Sequence, residues 1–501
     1  MFVYPNVAKS HTPQIGLLTL ASHLLDNGFD AFICDLTFDN QSYYLNHVLS
    51  EIEKKKPEIV GFGVRSMEFP TTRMLLCEIR KRYKDILLVA GGPQATHSPD
   101  ETAPYVDFGV IGDGEDPCLE IARAVADGKR ESIESLPNVF FMKNGEIIKN
   151  PIGPMFDLTQ SPMSRYELFD ERHYTHHSFL DIVPNSSVCG VFEGSRGCPY
   201  RCTYCSNTAL MDLNKGNGKW RREKPAPRLR KEIDDFKSRY DMDMMYFVDE
   251  VIMTTDARTQ ELMENLEDLK VPFVFMERPE LIRETRVKHM KAAGAYSCSI
   301  GVESAGEEFR EKLLLRNTPD EKIKKSYKMM RDQGIKTHSF IMMGLPEQTE
   351  EIMAETFRLL QELQPSSAQA TTFFPLPGTV LHDKVRKEGL YELNLYPTNY
   401  YRSSVLNYSP AHTRKIDQYA IMVNLGLWRA GVWNSLLAWI CLRVLSLSLV
   451  LYYSQAVIRS VKRIGIRQTL LKIKGENSPS MLHSGGVSIG PSIWGRKAKT
   501  P

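Results

Sequence analysis

Two separate runs of alternating strand-like and helix-like segments constrain the fold of this chain more than any other feature. The first run occupies residues 1–128, where apolar runs of strand length alternate with amphipathic stretches such as Ile15–Leu25, which ends at Gly28. Buried strands that alternate with helices predict a parallel, doubly wound α/β sheet. The predicted strands of this part are Phe2–Tyr4, Ala31–Leu36, Ile59–Val64, Ile86–Ala90 and Phe108–Ile111.

The second run of alternation begins at Val191. Helical stretches between its strands, two of which close at Gly294 and Gly334, are each about long enough to cross back over a sheet. Six such units predict a closed or partial (β/α)6 barrel, with its chemistry at the carboxyl ends of the strands. The predicted strands of this part are Gly190–Glu193, Met244–Val248, Phe273–Met276, Tyr296–Val302, Lys336–Met343 and Ala368–Phe374.

Between and after these runs the pattern changes. Residues 129–187 are predicted to be a linker that contains one hairpin, and residues 188–385 form the barrel. The rest divides into a helical region at 386–475 and a disordered tail at 476–501. The apolar run 436–453 contains Arg443, which would cost about 2.5–3.5 kcal/mol inside a bilayer, so a membrane span is the weakest interpretation. A helix packed on the barrel and a helix lying on a membrane surface through 436–474 both stay open.

Composition sets the broad class of protein. A formal net charge of +2 over 501 residues gives no large positive field, which argues against a nucleic-acid partner. The amino-terminal residues lack the features of a signal peptide, so a cytoplasmic location is predicted. Nine cysteines in a reducing compartment indicate metal, catalytic or packing roles rather than disulfides.

Three of the nine cysteines are crowded into the string Gly194-Ser-Arg-Gly-Cys198-Pro-Tyr-Arg-Cys202-Thr-Tyr-Cys205. Thiols at positions i, i+4 and i+7 can hold three corners of a [4Fe–4S] cube and leave the fourth iron without a protein ligand. An open position is what a substrate-activating site needs. A zinc loop, for which Cys189 is the only nearby fourth ligand, is the alternative.

This spacing after a first barrel strand resembles the radical SAM superfamily, and the resemblance covers most of residues 188–385. The acidic residues after Phe247 resemble a motif for the amino group of S-adenosylmethionine (SAM), and Glu277-Arg278 resembles the strand end of one subfamily. Further matches lie at the ends of the fourth, fifth and sixth strands. The resemblance implies metal ligation by Cys198, Cys202 and Cys205, and SAM contacts at Tyr204, Asp249, Glu250, Glu303, Ser304 and Gly344.

The first 128 residues resemble the cobalamin-binding Rossmann-like domain that precedes the barrel in one radical SAM class. Glycines at the predicted strand ends would let a flat ligand approach the backbone, and tight turns are the alternative reading of the same glycines. The resemblance implies cobalamin contacts at Gly16, Gly91, Gly92, Gly112, Gly114 and Glu115. The histidine loop that binds cobalt in the broader family is missing, and His11 is predicted to be a solvated loop residue.

The resemblance also implies the chemistry. Reduction of the cluster by a donor such as ferredoxin or flavodoxin would split SAM and give a radical that removes hydrogen from an unactivated carbon. The leading hypothesis is a cobalamin-dependent C-methyltransferase that acts on a large apolar substrate, with a bacteriochlorophyll-type tetrapyrrole favoured. The alternatives are an oxidative cyclase of a magnesium porphyrin and a non-catalytic cobalamin and iron–sulfur binding or sensing protein.

Overall fold

The computed structural model describes residues 1–175, 187–392, 395–396, 400–401 and 404–443. Its first sheet has seven strands in the order β2-β1-β3-β4-β5-β6-β7, and the first five of them in the chain are parallel. This order confirms the predicted doubly wound sheet and places its topological switch point between β1 and β3. The strands are β1 (Phe2–Tyr4), β2 (Ile33–Asp35), β3 (Ile59–Gly63), β4 (Leu87–Gly91), β5 (Phe108–Val110), β6 (Val139–Lys143) and β7 (Glu146–Lys149).

Helices cover both faces of this sheet, which explains why its central strands are buried throughout. Val3, Val60 and Leu88 are completely buried in the middle of three adjacent strands. The helices after β4 and β5 begin within a few residues of the strand ends, whereas longer loops follow β1 and β2. The helices are α1 (Ile15–Asp26), α2 (Tyr44–Lys55), α3 (Phe69–Arg82), α4 (Pro93–His97), α5 (Pro99–Thr102) and α6 (Glu115–Ala126).

The predicted hairpin is formed by β6 and β7, which pair antiparallel around Asn144 and Gly145. Both turn residues have positive φ, as a two-residue hairpin of this hand requires. Strand β6 pairs with β5, so the sheet continues past residue 128, where the linker was predicted to begin. The described part of the linker also contains the short helix α7 (Arg172–Thr175).

The second sheet has six parallel strands in the order β15-β14-β13-β12-β11-β8, so the barrel is a partial one. In the described residues β8 and β15 do not pair, and a separate two-stranded hairpin of β9 and β10 follows β8. These strands are β8 (Cys189–Phe192), β9 (Ser195–Arg196), β10 (Arg222–Glu223), β11 (Met244–Phe247), β12 (Phe273–Glu277), β13 (Ala295–Glu303), β14 (Lys336–Met343) and β15 (Ser367–Thr372).

The helices of the barrel lie outside the sheet and bury its apolar face. Gly294 and Gly334 end two of them with positive φ, as the sequence predicted. Helix α16 packs on β15 and extends the barrel core. The helices of this part are α8 (Ser206–Leu213), α9 (Ala226–Arg239), α10 (Asp256–Leu266), α11 (Glu284–Ala292), α12 (Glu307–Leu314), α13 (Asp320–Asp332), α14 (Glu350–Leu363), α15 (Val380–Lys387), α16 (Pro410–Asn424) and α17 (Val432–Arg443).

The last described helix contains the beginning of the apolar run. Ala438 and Cys441 of α17 are buried against the core, whereas Leu436 and Trp439 are 43% and 56% exposed. Among the described helices, none is long and apolar enough to cross a membrane. The rest of the apolar run, the end of the predicted helical region and the predicted disordered tail at 476–501 lie outside the described residues.

Candidate functional site

The three crowded cysteines lie in the loop between β9 and α8, beyond the carboxyl end of the first barrel strand. Cys198 and Cys202 are buried, and Cys205 is half-buried at the N-cap position of α8. The free N–H groups of a helix N-terminus favour a negative charge such as a thiolate. Three thiols on one short loop, with a helix N-terminus behind the last, fit the three protein ligands of a [4Fe–4S] cluster.

The pKa values of Cys198 and Cys205 are both raised. Burial raises the pKa of Cys205 to about 11, and Cys202 and Cys198 contribute to the rise by repulsion. Burial also raises the pKa of Cys198. Because metals bind thiolates, binding of the cluster has to release protons from this loop. Within the described residues no three His, Cys, Asp or Glu side chains are placed to hold a single metal ion.

Cys189 is not part of this group. It begins β8 at the amino end of the strand, whereas the cysteine loop follows the carboxyl end. Its side chain is completely buried and packs with Met244 and Val274. The interpretation of Cys189 as a fourth ligand, of zinc or of a fully ligated cluster, is therefore wrong, because the pairing of β8 with β11 fixes it at the opposite end of the barrel.

Two side chains that the sequence analysis did not single out hold the backbone of the loop. Trp220 donates from Nε1 to the carbonyl oxygen of Cys198 at 3.1 Å, and Arg221 donates to the carbonyl oxygen of Gly197 at 2.9 Å. Gly197 has φ +89°, and a Cβ there would lie 2.7 Å from the carbonyl oxygen of Trp220. In the sequence, Trp220 and Arg221 lie in a run of basic residues, and such a run is more often part of a solvated surface.

Asp249 and Glu250, the acidic pair after β11, have different surroundings. Asp249 is buried and accepts hydrogen bonds from the backbone N–H of Gly194, at 2.9 Å, and from the hydroxyl of Ser195. Burial raises the pKa of Asp249 to about 7. Glu250 is exposed and accepts a hydrogen bond from Asn207 of α8 at 3.3 Å. Both carboxyls therefore lie beside the cysteine loop, and Asp249 also fixes the start of that loop.

Tyr204 and Glu303 are brought together by Arg316, which lies between α12 and α13. The guanidinium of Arg316 donates to the hydroxyl of Tyr204 at 3.1 Å, lies 3.5 Å from Glu303 and donates to the carbonyl oxygen of Gly301 at 2.6 Å. Arg316 is only 4% exposed, and nothing in its local sequence pointed to the site. Glu303 has φ +70°, so the end of β13 bends where its carboxyl meets this arginine.

Ser304 and Gly344 are connected through Gln348. The side-chain oxygen of Gln348 accepts from the backbone N–H of Gly344 at 2.7 Å, and its Nε2 donates to the hydroxyl of Ser304 at 3.1 Å. Gly344 has φ +77°, and a Cβ there would lie 3.0 Å from Ile416 of α16. The ends of β13 and β14 are therefore held at a fixed spacing at the barrel mouth.

Arg278, at the end of β12, reaches the cysteine loop directly. Its Nη1 donates to Sγ of Cys202 at 2.9 Å, and its guanidinium lies over the ring of Tyr200 at 3.7 Å. Glu280 accepts a hydrogen bond from the other end of the guanidinium at 2.6 Å. A positive charge is therefore held beside one of the three sulfurs.

The predicted cobalamin residues lie at the carboxyl edge of the first sheet. Gly91 ends β4 and Gly92 follows it, and Gly112 and Gly114 follow the adjacent strand β5. A Cβ on Gly91 would meet only Val110, at 3.9 Å, so the backbone there is open to a ligand. Gly92 has φ +87° and contacts the backbone of Val64, which leaves no room for a side chain.

Two further residues at this edge differ in their exposure. Gly16 is exposed in the first turn of α1, and nothing lies within 4 Å of a Cβ built there. Glu115, at the start of α6, is only 3% exposed and forms an ion pair with Arg196 of β9 at 2.6 Å. The open backbone at Gly16 and Gly91 fits a flat ligand such as the corrin of cobalamin, whereas the carboxyl of Glu115 faces the cysteine loop.

His11 was predicted to be solvated, and that prediction is wrong. The side chain is 7% exposed and its ring lies 5.1 Å from that of Phe38. Its carbonyl oxygen is hydrogen-bonded to Nδ1 of His173 at 2.7 Å. The described part of the linker packs against this loop, which is why a polar residue there is buried.

Comparison with known proteins finds a match for each of the two α/β units. Residues 192–360 match the model of the radical SAM superfamily, and residues 3–122 match that of the B12 binding domain. The chain is 25% identical to an uncharacterized methyltransferase of Pyrococcus horikoshii, over 74% of this chain and 77% of the relative. It is 22% identical to the anaerobic magnesium-protoporphyrin IX monomethyl ester cyclase of Rubrivivax gelatinosus, over 77% and 69%.

The fold has solved counterparts as well. The radical SAM methyltransferase TsrM of Kitasatospora setae, solved with cobalamin and a [4Fe–4S] cluster bound, superimposes with a TM-score of 0.62 at 18% identity. The match covers 77% of this chain and 74% of that one, and it shows a common fold.

The fold, the cysteine loop and these matches define a radical SAM enzyme with a B12 binding domain. Within that class, the relatives that the chain resembles include a methyltransferase and a magnesium-protoporphyrin cyclase. Its cofactors are accordingly a [4Fe–4S] cluster, SAM and cobalamin, and the loop of Cys198, Cys202 and Cys205 has the thiols that would hold the cluster.

Proposed function

We propose that the protein methylates an unactivated carbon of a large apolar substrate, and that this substrate is a tetrapyrrole of the bacteriochlorophyll type. When bound, the cofactors supply a radical that can take hydrogen from such a carbon and a methyl group that can replace it. One SAM would give up its methyl group and leave as S-adenosylhomocysteine. A second SAM would take the substrate hydrogen and leave as methionine and 5′-deoxyadenosine, with two electrons from an external reductant.

The observation that carries the reaction is direct contact between the two cofactor regions. In the B12 binding domain, the loop after β5 leads to Glu115. The ion pair of Glu115 with Arg196 connects this loop to the start of the cysteine loop. A methyl donor and a radical source have to reach the same carbon, so a transferase of this kind needs the two sites side by side.

Aromatic side chains beyond the barrel mouth support a flat, apolar substrate. Phe374 follows β15 and lies 6.1 Å, ring to ring, from both Tyr391 and Tyr400. Tyr396 lies 5.9 Å from Phe69 of the B12 binding domain, and its hydroxyl contacts Glu101 there. The segment after the barrel therefore joins the two domains with aromatic rings, which suit an extended π-system. The similarity to a magnesium-porphyrin cyclase supports the same substrate class.

The test is a labelling experiment with the reconstituted holoenzyme. SAM with a labelled methyl group, hydroxocobalamin, a reductant and a magnesium or bacteriochlorophyll-type porphyrin are combined without oxygen. We expect label in the porphyrin, together with S-adenosylhomocysteine and 5′-deoxyadenosine in equal amounts. A porphyrin that gains oxygen or a ring but no label would favour the cyclase. No porphyrin product, with label on a polyprenoid offered in parallel, would reject the tetrapyrrole. The Cys202→Ala variant is the control for uncatalysed methylation.

We also propose an acidic electron-carrier protein, such as ferredoxin or flavodoxin, as the physiological reductant. Residues 193–224 around the cysteine loop carry seven Lys or Arg against three Asp or Glu. Arg201, Lys215 and Lys219 are exposed on this segment. Positive charge beside the cluster would steer an acidic partner. Cluster reduction by flavodoxin should slow several-fold in Lys215→Glu/Lys219→Glu, whereas reduction by dithionite should not change.

Contact with a membrane surface is a further part of the proposal. The exposed Leu436 and Trp439 of α17 support it, because they present an apolar face beside the basic Arg443. Sedimentation with vesicles that contain anionic lipid should recover the protein, and Trp439→Ser/Leu436→Ser should release it. Equal binding of the wild type and the double variant would reject this contact.

A further inference from the structure

We propose that Arg196 is a positioning residue that couples the cobalamin site to the cluster site, so that binding at one changes affinity at the other. Arg196 lies two residues before the first cluster cysteine, Cys198. Its partner Glu115 begins α6, directly after the loop that ends β5 of the B12 binding domain. The inference rests on the two cofactor sites and is independent of which substrate is methylated.

The guanidinium of Arg196 is surrounded by carboxylates from both domains. Nη1 lies 2.6 Å from Glu115 and 3.7 Å from Asp113, and Nε donates to both oxygens of Glu193 at 3.0 and 3.1 Å. Its side chain is 16% exposed and that of Glu115 is 3% exposed. Solvent screens a buried charge pair weakly, so a shift of one partner is felt by the other.

A second arginine repeats the connection on the adjacent strand. Arg222 of β10 pairs with Arg196 across the hairpin, forms an ion pair with Asp113 and donates to the carbonyl oxygen of Phe156 at 2.7 Å. Burial alone would raise the pKa of Asp113, but the guanidiniums of Arg196 and Arg222 lower it overall. The carboxylate is therefore charged, and the B12 domain loop is attached to both strands of the hairpin.

The hairpin passes this constraint on to the cluster ligands. Gly197 separates Arg196 from Cys198, and its backbone is packed against Trp220 so closely that a Cβ would not fit. Trp220 in turn is hydrogen-bonded to the carbonyl oxygen of Cys198. With no flexible side chain between the ion pair and the first cysteine, a displacement of the loop at Gly112–Glu115 is transmitted to the position of Cys198. Two sites joined by one rigid connection change their affinities reciprocally.

The test measures binding without any methyl acceptor. The affinity of the cluster-loaded protein for hydroxocobalamin is titrated with and without SAM, in the wild type and in Arg196→Met. We expect SAM to change the wild-type affinity by about fivefold or more, and the variant affinity by less than about twofold. Arg201→Met is the matched control, because Arg201 lies on the same loop but pairs with the exposed Asp212. Unchanged coupling in Arg196→Met, or equal loss in Arg201→Met, would overturn the proposal.

A second measurement keeps the proposal testable if Arg196→Met loses its cluster. Hydrogen exchange in the wild-type holoenzyme should slow at 195–203 as well as at 112–118 when hydroxocobalamin is added. Glu115→Gln, which removes the charge from the other domain, should reduce the protection at 195–203 by a larger factor than the protection at 112–118. Protection confined to 112–118 in the wild type would show that the sites are not coupled. Methylation assays need not succeed for this result, so failure of the proposed reaction is distinguishable.

Discussion

The guanidinium of Arg278 donates a hydrogen bond to Sγ of Cys202 at 2.9 Å and is held there by Tyr200 and Glu280. A fixed positive charge beside a ligand sulfur stabilises the cluster in its reduced, more negative state. A residue at the end of the third parallel strand of the barrel can therefore influence the reduction potential of the cluster.

Replacement of this arginine should make the cluster harder to reduce. A charge-assisted hydrogen bond is worth about 1.5–3 kcal/mol, and about 1.4 kcal/mol corresponds to about 59 mV for one electron. We expect Arg278→Met to lower the midpoint potential by about 60 mV or more in a potentiometric titration followed by EPR. Arg278→Lys keeps the charge and should shift it less. An unchanged potential in Arg278→Met would contradict this role.

Alanine variants of the four cysteines at and near the site should differ in the iron content of the reconstituted protein. Cys198→Ala, Cys202→Ala and Cys205→Ala each remove one of three ligands, so reconstituted protein should lose the cluster absorbance and SAM cleavage. Cys189→Ala changes only the packing against Met244 and Val274, so it should retain about four irons per chain. Loss of the cluster in Cys189→Ala with an unchanged circular dichroism spectrum would show that Cys189 is a ligand after all.

Gly92 and Gly16, both predicted to contact cobalamin, provide a test variant and its control for the backbone argument. Gly92 has φ +87° and ψ −173°, a conformation almost restricted to glycine, and a Cβ would lie 3.0 Å from the backbone nitrogen of Val64. Gly92→Ala should destabilise the domain by about 1–3 kcal/mol and weaken hydroxocobalamin binding. Gly16→Ala lies in open space on a helix and should leave the fold unchanged or stabilise it by up to about 1 kcal/mol. Equal stability of the two variants in thermal melts would contradict the backbone argument.

Asp249 should make stability depend on pH in a defined direction. Burial raises its pKa in the fold from 3.8 to about 7, so the folded state binds a proton that the unfolded chain releases. The contribution of this proton binding to the free energy of unfolding is complete below about pH 4. It is lost as the pH rises through about 7, at up to about 1.4 kcal/mol per pH unit.

The variant Asp249→Asn tests this directly, because the neutral amide mimics the protonated carboxyl. Without SAM, the variant and the wild type should have similar Tm values at about pH 4, and the variant should melt increasingly higher as the pH rises towards about 7. Ser195→Ala removes a hydrogen bond that lowers the pKa of Asp249 but keeps the titrating group, so its Tm should fall with rising pH in the same direction as in the wild type and up to a higher pH. A Tm difference between Asp249→Asn and wild type that does not vary with pH would contradict the raised pKa.

Local patterns predicted the strands of the two large sheets, but not the hairpin of β9 and β10 that flanks the cysteine loop. Lys336–Met343 was predicted and is observed with the same bounds, and Gly190–Glu193 is observed one residue earlier, as Cys189–Phe192. A buried parallel strand needs a continuous apolar run, and a cluster loop needs fixed ligand spacing. Both can therefore be recognised from residues that are close together in the chain. The glycines that end two barrel helices follow the same logic.

Contacts between distant segments could not be read in this way. Arg316 reaches Tyr204 across 112 residues, and Arg278 reaches Cys202 across 76. The local sequence does not distinguish an arginine on a surface loop from one that crosses the barrel mouth. The contacts of such an arginine depend on which strand ends the parallel register brings together. The same register places Cys189 away from the cluster.

The order of the two α/β units, their parallel strands and the spacing of the three crowded cysteines follow from the sequence alone, because hydrophobic period and residue spacing are local properties. The burial of Glu115 against Arg196, which connects the carboxyl edge of the first sheet to the start of the cysteine loop, follows only from the three-dimensional fold. That contact depends on how two sheets pack against one hairpin, and the burial of its charges follows from packing that neither segment contains alone.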